Sequence, residues 1–150
     1  MAGFAQRFID ALRQTEDAHD PGPVAGVFGE RAELANLAHH EPHRGADGAR
    51  RFWADYLHAF RRVKSDFHAV READGFAVLE WTSEAELAAG KRVTYRGVSL
   101  LEADGDRVAR FRTYYDTAAL VTPPAARTPA AEPAQAEGPD DEPPAANGAA

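Results

Sequence analysis

Apolar side chains recur at helical spacing in the first half of the chain and alternate with polar ones in the second. Phe4, Phe8, Ile9 and Leu12 lie three and four residues apart, which predicts an amphipathic helix over about residues 3–17. Pro21 and Pro23 interrupt the pattern, and Val24, Val27 and Phe28 predict a short second helix ending near Gly29. Glu33–Leu37 reads as a brief strand, and the run from His39 through Gly45 as a loop. Ala49, Phe52, Trp53, Tyr56, Leu57, Phe60 and Val63 line one face of a third helix. Strands then follow at Phe67–Val70, Phe76–Leu87, Lys91–Leu101 and Arg107–Tyr115. The turns between them fall at Asp74-Gly75, Ala89-Gly90 and Ala103–Asp106. Asp-Gly between alternating apolar residues signals a tight hairpin, because both turn positions tolerate positive φ.

Helices first and antiparallel strands afterwards predict an α+β domain with its helices on one face of the sheet. The alternation places apolar side chains on both faces. Leu79 and Trp81 oppose Phe76, Val78, Glu80 and Thr82, while Val98 and Leu100 oppose Tyr95, Gly97, Ser99 and Leu101. Both faces therefore call for cover. The helices supply one, and a second copy of the chain is the simplest cover for the other, so a homodimer is expected.

Composition narrows the classes. The 150 residues are 44% hydrophobic, enough for one domain with a modest core. A net charge of −7 argues against a nucleic-acid partner, whose binding rests on basic patches. There is no cysteine, hence no disulfide, thiolate ligand or cysteine nucleophile. The N-terminal stretch is amphipathic and unlike a signal peptide, and no window nears the roughly 18 apolar residues of a membrane span. A soluble, cytoplasmic protein without a membrane partner is expected. Residues 122–150 hold seven of the ten prolines, no aromatic residue, and five acids against Arg127 alone. That composition buries too little apolar surface to offset chain entropy, so a domain over 1–121 and a disordered tail over 122–150 are expected.

Two acids stand out as candidates for proton transfer. Glu80 shares its strand face with Phe76, Val78 and Thr82, and on the reading that this face meets the helices its carboxylate is desolvated and suited to acid or base work. Asp116 ends the last strand after Tyr114-Tyr115, either at a pocket mouth or as a cap for the residues that follow. Tyr95, Ser99, Thr113 and Tyr115 share one parity along the final hairpin, and with Tyr56 and Phe111 they make candidate ligand-binding residues. His39, His40, Glu41 and His43 bring imidazole and carboxylate together, but Pro42 lies among them and helical spacing is missing, so no metal is expected. One of these histidines at a pocket rim, acting alone, fits better. No phosphate loop, dinucleotide glycine motif or Ser-His-Asp signature occurs, and no cofactor is expected.

The segments FIDALR (Phe8–Arg13), PHRGADGARRFW (Pro42–Trp53), YRGVSLLEADGDRV (Tyr95–Val108) and RTYYDTAAL (Arg112–Leu120) resemble the SnoaL-like branch of the nuclear transport factor 2-like superfamily. That branch includes polyketide cyclases, ketosteroid isomerases and limonene epoxide hydrolases. The resemblance implies a cone-shaped half-barrel, in which a curved mixed or antiparallel sheet is closed by three N-terminal helices around one deep apolar pocket. Carried over position by position, it implies little of the known chemistry. The tyrosine, aspartate base and protonated aspartic acid of ketosteroid isomerases correspond to Phe8, Asn36 and Ser99. The epoxide hydrolase asparagine is matched by Asn36, which is suited to orienting a water. Its tyrosine, arginine–aspartate pair and second aspartate fall on Leu34, Glu80 with Thr82, and Thr113. The polyketide cyclase acid on the last strand has only Asp116 near it. The sequence reading is therefore a protein that binds a small apolar or aromatic molecule, by isomerising, cyclising or hydrating it, or as a non-catalytic module of the same fold.

Overall fold

A computed structural model of the chain describes residues 3–38 and 40–120. Helix α1 (Phe4–Ala18) and the single turn α2 (Gly22–Ala25) precede strands β1 (Phe28–Ala35) and β2 (His43–Arg44). Helix α3 (Gly45–His58) then leads into four long strands: β3 (Phe60–Ala73), β4 (Phe76–Leu87), β5 (Arg92–Asp104) and β6 (Arg107–Tyr115). The six strands form one curved, open sheet in the order β2-β1-β6-β5-β4-β3. β1 runs parallel to β6 and every other neighbour is antiparallel, so the sheet is mixed, as expected. The unit that carries this fold extends to Thr117. The tail expected over 122–150 lies outside the described residues.

Local chemistry fixes the helices in place. The Glu72 side chain on β3 accepts the Ala5 amide at 3.1 Å, satisfying one of the N–H groups that the first turn of α1 leaves without a helical partner. At the other end, the buried Thr15 hydroxyl accepts the Val24 amide at 3.0 Å and ties α1 to α2. One face of α1 delivers Phe4, Phe8, Ile9 and Leu12 to the core, where Phe8 meets Phe28, Trp53 and Phe111 at ring separations of 5.4–6.3 Å.

Several elements depart from the sequence expectation: the run expected as a loop through Gly45 contains β2, and the strand expected at Glu33–Leu37 spans Phe28–Ala35. Phe28 begins β1 rather than ending α2. The third helix stops at His58, and Phe60 and Val63, read as its last turns, open the 14-residue strand β3. Bulges fall between Phe60 and Arg62 and between Phe67 and Ala69. Each inserts one residue, so inward side chains sit three apart, Phe60 with Val63 and Phe67 with Val70, and imitate a helical repeat.

Hairpin register decides the faces. The β4–β5 loop has three residues, Ala88–Gly90, with Leu87 N–H donating to Lys91 O at 2.8 Å. A two-residue turn at Ala89-Gly90 would shift the pairing by one and turn every side chain over. In the observed register Leu79 pairs with Ser99 and Glu80 with Val98. Ala77, Leu79, Trp81, Ser83 and Ala85 are consequently buried toward the helices. Glu80, Phe76 and Thr82 lie on the opposite, outer face, which corrects the expectation that this set meets the helices.

Candidate functional site

At one end of the interior the core-facing stripe of α1 changes character. After Leu12 the same face presents Thr15 and Glu16, both buried. Glu16 is only 9% exposed and takes three hydrogen bonds. The Ser65 amide donates to Oε1 at 2.9 Å, and the Ser65 and Tyr56 hydroxyls each donate to Oε2 at 2.7 Å. Burial holds the Glu16 carboxyl above the ordinary carboxylate range, a rise that these donors oppose and the Asp17 charge assists.

The network continues across the sheet. Ser65 on β3 shares a 2.7 Å hydrogen bond with Ser83 on β4, and Tyr95 on β5 is the cross-strand partner of Ser83. Burial pushes the Tyr95 and Tyr56 phenols well up, and the half-buried Tyr115 phenol up as well, so all three stay neutral donors near neutral pH. Tyr95 stacks on Phe60 and meets Trp81 and Tyr115 edge-on. A second buried cluster joins it: Trp81 Nε1 donates to Ser99 Oγ at 2.9 Å, and Ser99 shares a 2.9 Å bond with Thr113. Gly97 makes this geometry attainable, because a Cβ there would fall 2.5 Å from Trp81 Cζ2 and from Tyr114 O. Trp53, also buried, has an indole N–H with no acceptor among the described residues. Glu16 borders a cleft of about 760 Å³ at the end of α1, whose wall is mostly charged, with Arg61, Arg62, Lys64, Glu84, Glu86 and Arg92 around a floor of Val63, Ala85 and Val93.

The expected site residues separate into two groups. Tyr56, Tyr95, Ser99, Phe111, Thr113 and Tyr115 are brought together on the helix-facing side, with Phe111 in the aromatic core beside Phe8 and Trp53. Glu80 is not: it is exposed on the outer face, and the desolvation expected of it does not occur. Asp116 is exposed past the end of β6, where its backbone N–H donates to Arg96 O at 3.0 Å. Asn36 spends its side-chain oxygen on the Ala38 amide at 2.9 Å, at the turn after β1. His43 packs edge-on to Phe52 with Nε2 4.0 Å from Asp55, His40 and Glu41 are exposed, and His39 lies outside the described residues. Among the described residues, no three acidic or histidine side chains converge in metal-binding geometry.

Glu16, Ser65, Ser83 and Trp81 were not among the expected site residues. Their signal was present as polar groups on apolar stripes. Glu16 stands four residues after Leu12 and seven after Ile9, and the two serines alternate with Val63, Phe67, Trp81 and Ala85.

Residues 5–111 match the family described as the SnoaL-like domain. The chain belongs to that family. No functionally curated protein matches it. Solved structures place this SnoaL-like chain in the ketosteroid isomerase-like and nuclear transport factor 2-like fold. A protein of ketosteroid isomerase-like fold from Catenulispora acidiphila, crystallised with trimethylamine, superposes with a TM-score of 0.70 at 14% identity, over 81% of this chain and 97% of that one. An LEH-like epoxide hydrolase from M. tuberculosis gives 0.62 at 17% identity, over 77% and 85%. TerC, co-crystallised with polyporic acid, gives 0.67 at 15% identity, over 79% and 95%. At these identities the likeness establishes the fold alone.

Proposed function

We propose that this SnoaL-like protein binds a small apolar or aromatic molecule between its helices and the inner sheet face, and that Glu16 exchanges a proton with it. The observation that carries the reading is Glu16 itself, a buried carboxyl with a raised pKa at the edge of a cleft, hydrogen-bonded to Tyr56 and Ser65. Such a carboxyl, withdrawn from water and hydrogen-bonded, is suited to exchanging a proton with a bound molecule. Isomerisation, cyclisation and hydration can each proceed by proton transfer to and from such a group. The aromatic cluster of Phe60, Trp81, Tyr95 and Tyr115 on the helix-facing side suits a flat ligand, and TerC, of the same fold, was crystallised with polyporic acid.

Hydrogen counting supports a ligand that carries an acceptor oxygen. Trp81, Ser99 and Thr113 bring three polar hydrogens to two mutual bonds, so one hydroxyl hydrogen is left over in a buried place. The Trp53 N–H is a second such donor. Unmet buried donors cost about 1–3 kcal/mol each, a cost that a ligand oxygen removes. The alternative reading is a non-catalytic binding module, and one observation favours it: three donors on Glu16 also serve to staple α1 to β3, through the Ser65 amide and hydroxyl, and to α3, through Tyr56.

Native mass spectrometry on protein purified from its own host would identify the bound molecule, and turnover would then be compared in wild type and Glu16→Gln. The expected loss is about 10²–10⁴-fold. Unchanged turnover in the variant would remove Glu16 from the chemistry, and a molecule bound yet never altered by wild type would establish the binding module.

A second copy of the chain is proposed to cover the outer sheet face. Phe76 and Tyr114 are 39% and 43% exposed there, beside Val78, Val98 and Leu100. The same face carries both Glu80 and Arg96, so a two-fold partner can bring opposite charges together.

A further inference from the structure

The two oxygens of Glu16 are not equivalent. An ionised carboxylate offers about four acceptor positions, two on each oxygen. Among the described residues, the Tyr56 and Ser65 hydroxyls fill both positions on Oε2, each at 2.7 Å. The Ser65 amide fills one position on Oε1 at 2.9 Å. The position left open is therefore on Oε1.

We infer that Glu16 exchanges its proton through Oε1 alone, and that Tyr56 and Ser65 are positioning residues that reserve Oε2 and leave Oε1 to the cleft. This rests on the reading of Glu16 as the proton-exchanging group, and adds the atom that performs the exchange and the residues that select it. Glu16 lines the cleft, whereas Tyr56 and Ser65 do not, so the oxygen held by their hydroxyls is the one withdrawn from it.

A proton at the open position disturbs none of the three bonds. With its hydrogen on Oε1, the acid has its carbonyl oxygen at Oε2, which still accepts from both hydroxyls, and the Oε1 oxygen still accepts the Ser65 amide. A hydrogen on Oε2 would meet two hydroxyl hydrogens, and one of them would have to turn away. Tyr56 could turn its hydrogen only along the rings of Trp53 and Phe60, which stand edge-on to it. Ser65 could turn only toward Ser83, whose own hydrogen already supplies their shared bond and would be displaced in turn. On transfer to a ligand the Oε1–H bond breaks and its electron pair stays on Glu16. The hydrogen bonds covalently to a basic atom of the ligand, which gains one proton as Glu16 becomes a carboxylate. In the opposite direction the same position takes a proton up.

The test is infrared difference spectroscopy of the full chain across the titration of Glu16. The carbonyl band of the protonated side chain is assigned by its loss in Glu16→Gln. A carbonyl at Oε2 accepts two hydroxyl bonds, each of which lowers its stretching frequency. Tyr56→Phe and Ser65→Ala each remove one of those bonds, and each should move the band to higher frequency. A merely structural role for these residues would change stability and leave the band where it is. If the proton resides on Oε2, the carbonyl oxygen is Oε1, and a band that neither substitution moves overturns the assignment while leaving Glu16 as the exchanging group. Should one of the two variants fail to fold, the other decides. A wild-type spectrum with no titrating band that Glu16→Gln removes overturns the reading of Glu16 as well.

Discussion

Glu16 shows how one side chain can couple folding to pH. A carboxyl held above its unfolded value near 4.5 binds its proton more tightly in the native state than in the unfolded one. Its stabilising share is therefore complete below the unfolded value and is lost as pH rises through the folded one. Urea midpoints measured over roughly pH 4 to 8 should decline across that window in wild type, and the decline should be absent in Glu16→Gln. An equal slope in both proteins would place the dependence elsewhere. Thr15, one turn from the same end of the helix, makes a purely structural contribution. Thr15→Val leaves the Val24 amide buried without its acceptor and should cost about 1–3 kcal/mol in chemical denaturation. Both residues were legible in principle, because each is a polar group on the apolar stripe of α1. Ranking acids by their strand instead led to Glu80, whose neighbours Phe76 and Val78 looked like core.

That misreading belongs to the scale of elements, where two local insertions defeat simple periodicity. A bulge makes strand residues recur at three, as Phe60 and Val63 do, and a third loop residue at Ala88–Gly90 turns β4 over against the expected turn. Neither leaves a composition signal, since any residue can fill a bulge and the Ala-Gly turn is compatible with either length. The Asp74-Gly75 turn, by contrast, was legible: both residues take positive φ, 53° and 76°, as a tight hairpin demands. Gly97 is the element-scale residue most open to test. The Tyr114 carbonyl that a Cβ would strike is backbone and cannot step aside, and Trp81 would lose its place over the strand. Gly97→Ala should destabilise by about 2–3 kcal/mol and change the near-ultraviolet circular dichroism of Trp81. A variant of wild-type stability would show that β5 yields more readily than its neighbours imply.

At the scale of the whole molecule, the α+β cone was legible from the order of patterns and from four sequence segments. The joining of β1 to β6 was not, because pairing between distant strands follows from the shape of the assembled sheet and not from any local repeat. The described residues contain no helix long and apolar enough to cross a membrane. The proposed pairing of outer faces is also a property of this scale. Val98→Glu together with Tyr114→Glu should convert a sedimenting dimer to monomer without loss of secondary structure, and a wild-type chain that sediments as monomer at all concentrations would end that proposal.

The parallel bond between β1 and β6 has a consequence for biosynthesis. Phe28 pairs with Val108, and Phe8 rests on Phe111, so the first third of the chain has no completed core until the final strand has left the ribosome. While β3, β4 and β5 close locally as successive hairpins, α1 and β1 wait with Phe8 and Phe28 covered only from the side of Trp53. The nascent chain thus carries its greatest aggregation hazard at its oldest end, for nearly the whole time it takes to translate the domain.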